Sequence, residues 1–341
     1  LPPEIKHLQH LKTLNLENNE IESLPNELGA LARLRDLLLN ENKLTSLPSS
    51  IGNLKQLRNL EVGKNKLSKL PVDIGELSNL ECIEVAENQL NVLPQSFFQL
   101  TNLYCLELEN NQIENLPQEI GNLVNLETLD LGGNQLKELP TEIGSLSRLE
   151  MLSLYENQLE QIPTTISQLR KLHFIDLSDN QLTLLPAELG QLDRLESLYL
   201  SRNQLIDWPL ALCYLSNLIN LYLENNQLSR LPQEIDQMKT LSALYLNGNN
   251  LRELPNAIGG LEKLDLLELD NNKLTSLPDE INQLGSVWKL SLKNNQLECL
   301  PNHLDDMYSL KELYLQGNPI SEKEKQRLKT LLPNCEIFFD V

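Results

Sequence analysis

One asparagine recurs at residues 19, 42, 65, 88, 111, 134, 157, 180, 203, 226, 249, 272, 295 and 318, always 23 residues after the last. A fixed period of this length describes a stack of like supersecondary units, each touching only its neighbours, and not a globule with one core. Proline keeps the same period from Pro2 and Pro25 to Pro301, and only Pro3, Pro319 and Pro333 fall outside it. The unit reads L-x-x-L-x-L-x-x-N-x-L-x-x-L-P-x-x-I-x-x-L-x-x. A length of 341 residues, which otherwise suggests two domains, is therefore assigned to one solenoid.

Each part of the unit has a physical reading. In Leu126-Glu-Thr-Leu129-Asp-Leu131 the apolar positions alternate with Thr128 and Asp130, the period of a strand buried on one face. Stacked repeats make those strands parallel. The asparagine stands where the chain turns inward, and its amide can satisfy backbone groups that the turn would otherwise bury unpaired. After Leu-Pro, the spacing Ile120, Leu123, Leu126 predicts a helical or 3₁₀ segment, with Pro117 setting φ at its start. Aromatic residues make up only 4% of the chain, so the core is a ladder of leucines, and Trp208, at a template leucine position, is expected inside it.

L-x-x-L-x-L-x-x-N-x-L followed by L-P-x-x-I-x-x-L resembles the leucine-rich repeat in its 23-residue subtype. The ending Gly317-Asn-Pro-Ile-Ser-Glu-Lys-Glu-Lys through Leu331-Leu-Pro-Asn-Cys-Glu-Ile337 is similar to that of bacterial secreted or surface proteins of the leptospiral type. The resemblance implies an α/β solenoid, a horseshoe or arc with a parallel β-sheet on its concave face and short helical, 3₁₀ or extended segments on its convex one. Residues 1–318 form the fourteen repeats and 319–341 a C-terminal cap. In the cap, Ser321 and Glu324 have the spacing of a capping box for a helix ending near Pro333, and Ile337-Phe338-Phe339 reads as a closing strand, with Cys335 buried. Leu1-Pro2 already lies mid-repeat, as in a fragment or a processed form.

Function in such a protein is read from residues that depart from the template on its binding face. The position between the two strand leucines carries Glu61, Glu84, Glu107 and Asp130, an acidic ladder, and then Tyr199, Tyr222 and Tyr245, an aromatic one. The five nine-residue windows that run from a repeat's first leucine to its asparagine, the first opening at Leu80 and the last closing at Asn180, hold eleven acidic residues, Asp176 and Glu109 among them, and no Lys or Arg. Carboxylates about 5 Å apart repel by roughly 0.8 kcal/mol in water, so the array favours a partner with a basic patch. Tyrosine supplies rigid contact area with a polar tip, and three in register make a candidate hot spot. Phe174, His173 and Tyr155 on one side and Ile219, Leu266 and Trp288 on the other are expected to widen it.

A formal net charge of −20 argues against nucleic acid as the principal partner, and no apolar run is long enough for membrane insertion. Five cysteines form no disulfide-cap pattern. Cys82 and Cys105 stand one repeat apart, within reach of a disulfide or a shared metal, although coincidence is the simpler reading, and Cys299-x₃-His303 offers at most two zinc ligands. The acidic array admits a Ca²⁺ reading but lacks a compact ligand loop. No catalytic motif is present, and no metal or cofactor is assigned. The sequence is therefore read as a non-enzymatic protein-binding module, secreted or at a bacterial cell surface and engaging host molecules. The alternatives are a cytoplasmic scaffold of the Ras-group type and the binding segment of a longer enzyme; the oligomeric state is left open.

Overall fold

A computed structural model describes residues 1–340, which divide into two compact units, residues 1–172 and 173–340. In the first unit every repeat contributes one short strand: β1 (Thr13–Asn15), β2 (Asp36–Leu38), β3 (Asn59–Glu61), β4 (Cys82–Glu84), β5 (Cys105–Glu107), β6 (Thr128–Asp130) and β7 (Met151–Ser153). They pair in parallel in chain order, residue against the residue 23 positions on, as in Leu106↔Leu129. The second unit continues the same plan with β8 (Phe174–Asp176), β9 (Ser197–Tyr199), β10 (Asn220–Tyr222), β11 (Ala243–Tyr245), β12 (Leu266–Glu268), β13 (Lys289–Ser291), β14 (Glu312–Tyr314) and β15 (Glu336–Phe338). Its last step is longer by one residue: Leu313 pairs with Ile337, 24 positions away. Each unit is thus a stretch of solenoid with a parallel sheet on one side.

The leucine pattern sets which face is buried. Leu129 and Leu131 are both 0% exposed, while Thr128 and Asp130 stay half-buried on the open face. Opposite the sheet each repeat makes a 3₁₀ turn, not an α-helix. Gln118–Asn122 is typical: Leu123 N–H donates to Ile120 O, and Ile120, Leu123 and Leu126 are fully buried. The proline stands one residue ahead of the turn, as an extended N-cap with φ −75° and ψ 160°, so it aims the chain into the turn from outside. Aromatic exceptions to the aliphatic core are Phe97 and Phe98, packed edge to face at 5.7 Å, and Trp208, which is 6% exposed as the template predicts.

The recurring asparagine holds neighbouring repeats together. Asn134 Nδ2 donates to Leu108 O, Leu131 O and Gly132 O at 2.9, 3.0 and 3.2 Å, and its Oδ1 accepts Ile113 N–H at 2.9 Å. Leu108 and Ile113 belong to the preceding repeat, so one side chain satisfies two adjacent turns. Just ahead of it the chain is left-handed, and that position recurs in every repeat, from Asn18 (φ 53°) to Gly317 (φ 72°).

At the C-terminal end, α1 (Glu322–Leu331) starts on Ser321, whose side chain accepts Glu324 N–H. The capping box is only half formed. The Glu324 carboxylate does not return to Ser321; it accepts Leu300 N–H at 3.1 Å and is clamped by Arg327 at 2.6 and 2.7 Å, while Arg327 Nη2 also donates to Leu300 O. The pair binds the helix to the preceding repeat, in addition to the ladder bond by which Asn318 accepts Leu297 N–H. β15 ends at Phe338, one residue short of the expected strand, and Cys335 is half-buried instead of buried, because it lies in the turn that leads into that edge.

Candidate binding surface

In the first unit the acidic ladder forms as the register dictates, Glu61 beside Glu84, Glu84 beside Glu107, Glu107 beside Asp130. All four are half-buried, and the array is less bare than the sequence implied. Asn40 Nδ2 bridges Glu61 and Glu84 at 3.1 and 3.2 Å, Asn59 donates to Glu61 at 2.7 Å, and Asp130 accepts Gly132 N–H at 2.9 Å. Basic side chains also reach the acidic windows from outside: Arg58 pairs with Glu81 at 3.0 Å, and in the second unit Arg202 pairs with Asp179 at 3.3 Å.

Burial raises the carboxyl pKa of Glu84 despite its bond from Asn40, and burial raises that of Asp130 despite its bonds to Gly132 and Ser153. Among the carboxyls the largest shift is at Glu109, outside the predicted column, which is pushed up to about 7 by burial and then by Asp130, Glu107 and Glu84. Its Oε2 is buried without a hydrogen-bond partner. Its neighbours at the same repeat position are Ala86 and Gly132, and a Cβ on Gly132 would lie 2.1 Å from Tyr155 Cε1, so the Tyr155 ring lies over that glycine. Tyr155, expected on the acidic side, stands against Asp130 and Glu109, and burial raises its own pKa. The small residue that admits the ring was visible in the sequence, but its consequence needed the stack.

In the second unit the tyrosines are face to face. Tyr199 and Tyr222 have ring centroids 4.1 Å apart and 7° from parallel, and Tyr222 and Tyr245 are 4.4 Å apart at 6°. Phe174 extends the row at 5.3 Å, tilted by 45°. Because the ring faces are used against one another, the row offers ring edges and hydroxyls to a partner. Hydrogen bonds link the hydroxyls along the row, and burial followed by the bond to Tyr222 pushes Tyr199 up to about 12. Beside the row lie Glu224, bonded to Ser201 and raised by burial, and Glu268, held by Asn247 at 2.8 Å and Lys289 at 2.7 Å.

Asp176 joins β8 and accepts Ser178 N–H at 2.8 Å. His173 precedes that strand, and its backbone carbonyl accepts Glu196 and Ser197 N–H. Ile219 and Trp288 are exposed, at 38% and 42%, and Leu266 is half-buried. A second aromatic pair, Tyr314 and Phe338, stacks at 4.4 Å with Lys293 Nζ over Tyr314 at 4.4 Å from the centroid. The sequence showed both residues, but only the 24-residue register step brings them together. Among the described residues no three His, Cys, Asp or Glu side chains are arranged to hold a metal, and no helix is long and apolar enough to cross a membrane.

A family model described as a leucine-rich repeat region matches residues 1–67, 49–132, 106–157, 118–208 and 208–335. A leucine-rich-repeat protein of Leptospira interrogans is 40% identical, with a TM-score of 0.85, over 99% of this chain and 92% of its own. The ectodomain of the Arabidopsis receptor kinase HAESA, solved with a peptide hormone, is 31% identical over 99% of this chain and 60% of its own, with a TM-score of 0.74. An internalin of Listeria monocytogenes, 24% identical with a TM-score of 0.74 over 100% of this chain and 89% of its own, shares the fold. No curated protein sequence matches the chain.

Proposed function

Because the chain belongs to the leucine-rich-repeat family, whose fold is a protein-interaction module, we propose that it binds a protein or peptide on the open face of its sheet and has no enzymatic activity of its own. The observation that carries this is the tyrosine row. Three half-buried rings stacked within 4.4 Å are already ordered, so a partner meets rigid contact area with little further loss of entropy. Tyr199, Tyr222 and Tyr245, with Phe174 beside them and His173 at the head of β8, form the hot spot. Glu61, Glu84, Glu107 and Asp130 in the first unit and Asp176 in the second receive basic side chains of the partner. A peptide-bound neighbour such as HAESA supports the ligand class. The Leptospira relative supports a bacterial origin, and the proposal places the protein at the cell surface or outside it, acting on host molecules.

The test is an unbiased capture from host material with three versions of the chain: wild type, Tyr199/Tyr222/Tyr245→Ala, and the same three→Phe. A partner held by wild type and lost by a normally folded alanine variant supports the reading, and retention by the phenylalanine variant assigns the contact to the rings. Equal capture by wild type and the alanine variant sinks it.

A further inference from the structure

We propose that Cys82 and Cys105 are a reversible dithiol–disulfide pair on the open face of the first unit, oxidised by a small-molecule disulfide such as glutathione disulfide. The two residues open β4 and β5 and are direct register partners, Cys82↔Cys105, with both side chains free and half-buried. Strands in a parallel sheet lie about 4.8 Å apart, inside the roughly 4.4–6.8 Å that a disulfide spans between Cα atoms. Register partners project from the same face, so the bond can form without either strand sliding. Asn59 and Thr128 hold the same position in the flanking strands, so no third thiol competes.

The two thiols are unlike. A hydrogen bond from Cys105 lowers the pKa of Cys82, while that same bond, burial and the neighbouring carboxylates raise Cys105. Cys105 Sγ also lies 3.6 Å from Glu107 Oε1. Cys82 is therefore the attacking sulfur and Cys105 the resolving one. In the first step the Cys82 thiolate attacks one sulfur of R–S–S–R, which forms Cys82–S–S–R and expels RS⁻. In the second, Cys105 gives up its proton to solvent and attacks Cys82 Sγ, forming the Cys82–Cys105 bond and expelling the second RS⁻. Two protein thiols are oxidised and one disulfide is reduced to two thiols. The remaining cysteines supply controls: Cys299 is exposed and isolated, and Cys213 is buried.

The experiment treats the full chain with glutathione disulfide at neutral pH, traps free thiols by alkylation and maps the products by peptide mass. The expected products are a linked Cys82–Cys105 peptide pair, two hydrogens lighter than its parts, and a glutathione adduct that persists on Cys299. Dithiothreitol reverses both. Cys105→Ser should hold glutathione on Cys82, since nothing resolves it, and Cys82→Ser should react more slowly at Cys105; both variants keep the shape of the thiol and are checked by circular dichroism. A lasting glutathione adduct on Cys82 or Cys105 of wild type overturns the proposal, and so does failure of both to react while Cys299 does.

Discussion

At the scale of single residues, the position before each ladder asparagine reveals a constraint that leucine counting does not. It is left-handed in every repeat, yet only Gly133, Gly248 and Gly317 meet that demand without a Cβ, whereas Glu156 adopts φ 49°. A left-handed L-residue costs roughly 1–2 kcal/mol, and the greater unfolded freedom of glycine offsets about 0.5–1 of it. Glu156→Gly should therefore raise stability by up to about 1 kcal/mol in chemical denaturation. Gly133→Ala should lower it by more than the backbone term alone, because its Cβ would stand 2.3 Å from Asn110 Oδ1. Glu109 makes the second prediction. A carboxyl whose pKa is raised on folding destabilises the native state wherever it is ionised, and that penalty lifts as pH falls through the folded value, about 7 here. The midpoint of thermal unfolding should rise as pH drops from 8 towards 6. Glu109→Gln should be the more stable protein at pH 8 and lose most of that slope; an unchanged slope would locate the titration elsewhere.

At the scale of elements, the strands, the turns and the terminal helix were all legible, since each follows from a spacing that recurs or from a local rule. What was not legible was how α1 is fastened. The S-x-x-E pattern pointed to a reciprocal cap, but a tertiary partner, Leu300 N–H, competes for the same carboxylate and takes it. Local spacing cannot show a donor 24 residues upstream. The Glu324 side chain is 11% exposed and that of Arg327 32%, so Arg327→Met strands a nearly buried carboxylate. The cost should be about 2–3 kcal/mol, the lower end for a broken buried pair because Arg327 is partly solvated. It should show first as faster amide exchange in α1 and β15. The hydrogen bond from Arg327 also holds Glu324 below the usual carboxylate range. The stability it contributes is complete at neutral pH and is lost as pH falls through that lowered value, opposite in sign to Glu109. The ladder asparagine gives the corresponding test within a repeat: Asn134→Ala leaves Ile113 N–H without its acceptor, while Leu108 O, Leu131 O and Gly132 O each keep a second donor in Asn111 Nδ2, Asn157 Nδ2 and Asn110 N–H, so the loss should be about 1–3 kcal/mol for one buried orphan, more than an ordinary surface substitution costs.

At the scale of the whole molecule, period and register determined which columns face outward, so the acidic and tyrosine ladders could be written down from the sequence alone. Their chemistry could not, because it depends on residues from other columns. Asn40 bridges two of the ladder carboxylates, Arg58 and Arg202 reach acidic residues from neighbouring repeats, and Tyr155 leans over Gly132. A column read one position at a time does not contain those reaches. The charge survives them: a formal −20 remains, and 48 carboxylates against 28 bases repel one another in the compact state. Salt should then act in two opposed directions. Raising ionic strength from about 0.01 M to 0.15 M shortens the screening length from roughly 30 Å to 8 Å, which relieves self-repulsion and should raise the thermal midpoint of the free protein. The same change removes the long-range attraction of the acidic face for a basic partner, so association should slow with salt while dissociation changes less. Neutralising Glu61, Glu84 and Glu107 together to Gln should flatten the salt dependence of association, and Tyr199/Tyr222/Tyr245→Ala should leave that dependence intact while speeding dissociation. The two ladders are separable in kinetics if the first steers and the second holds, and identical salt profiles for the two triple variants would refute that division of labour.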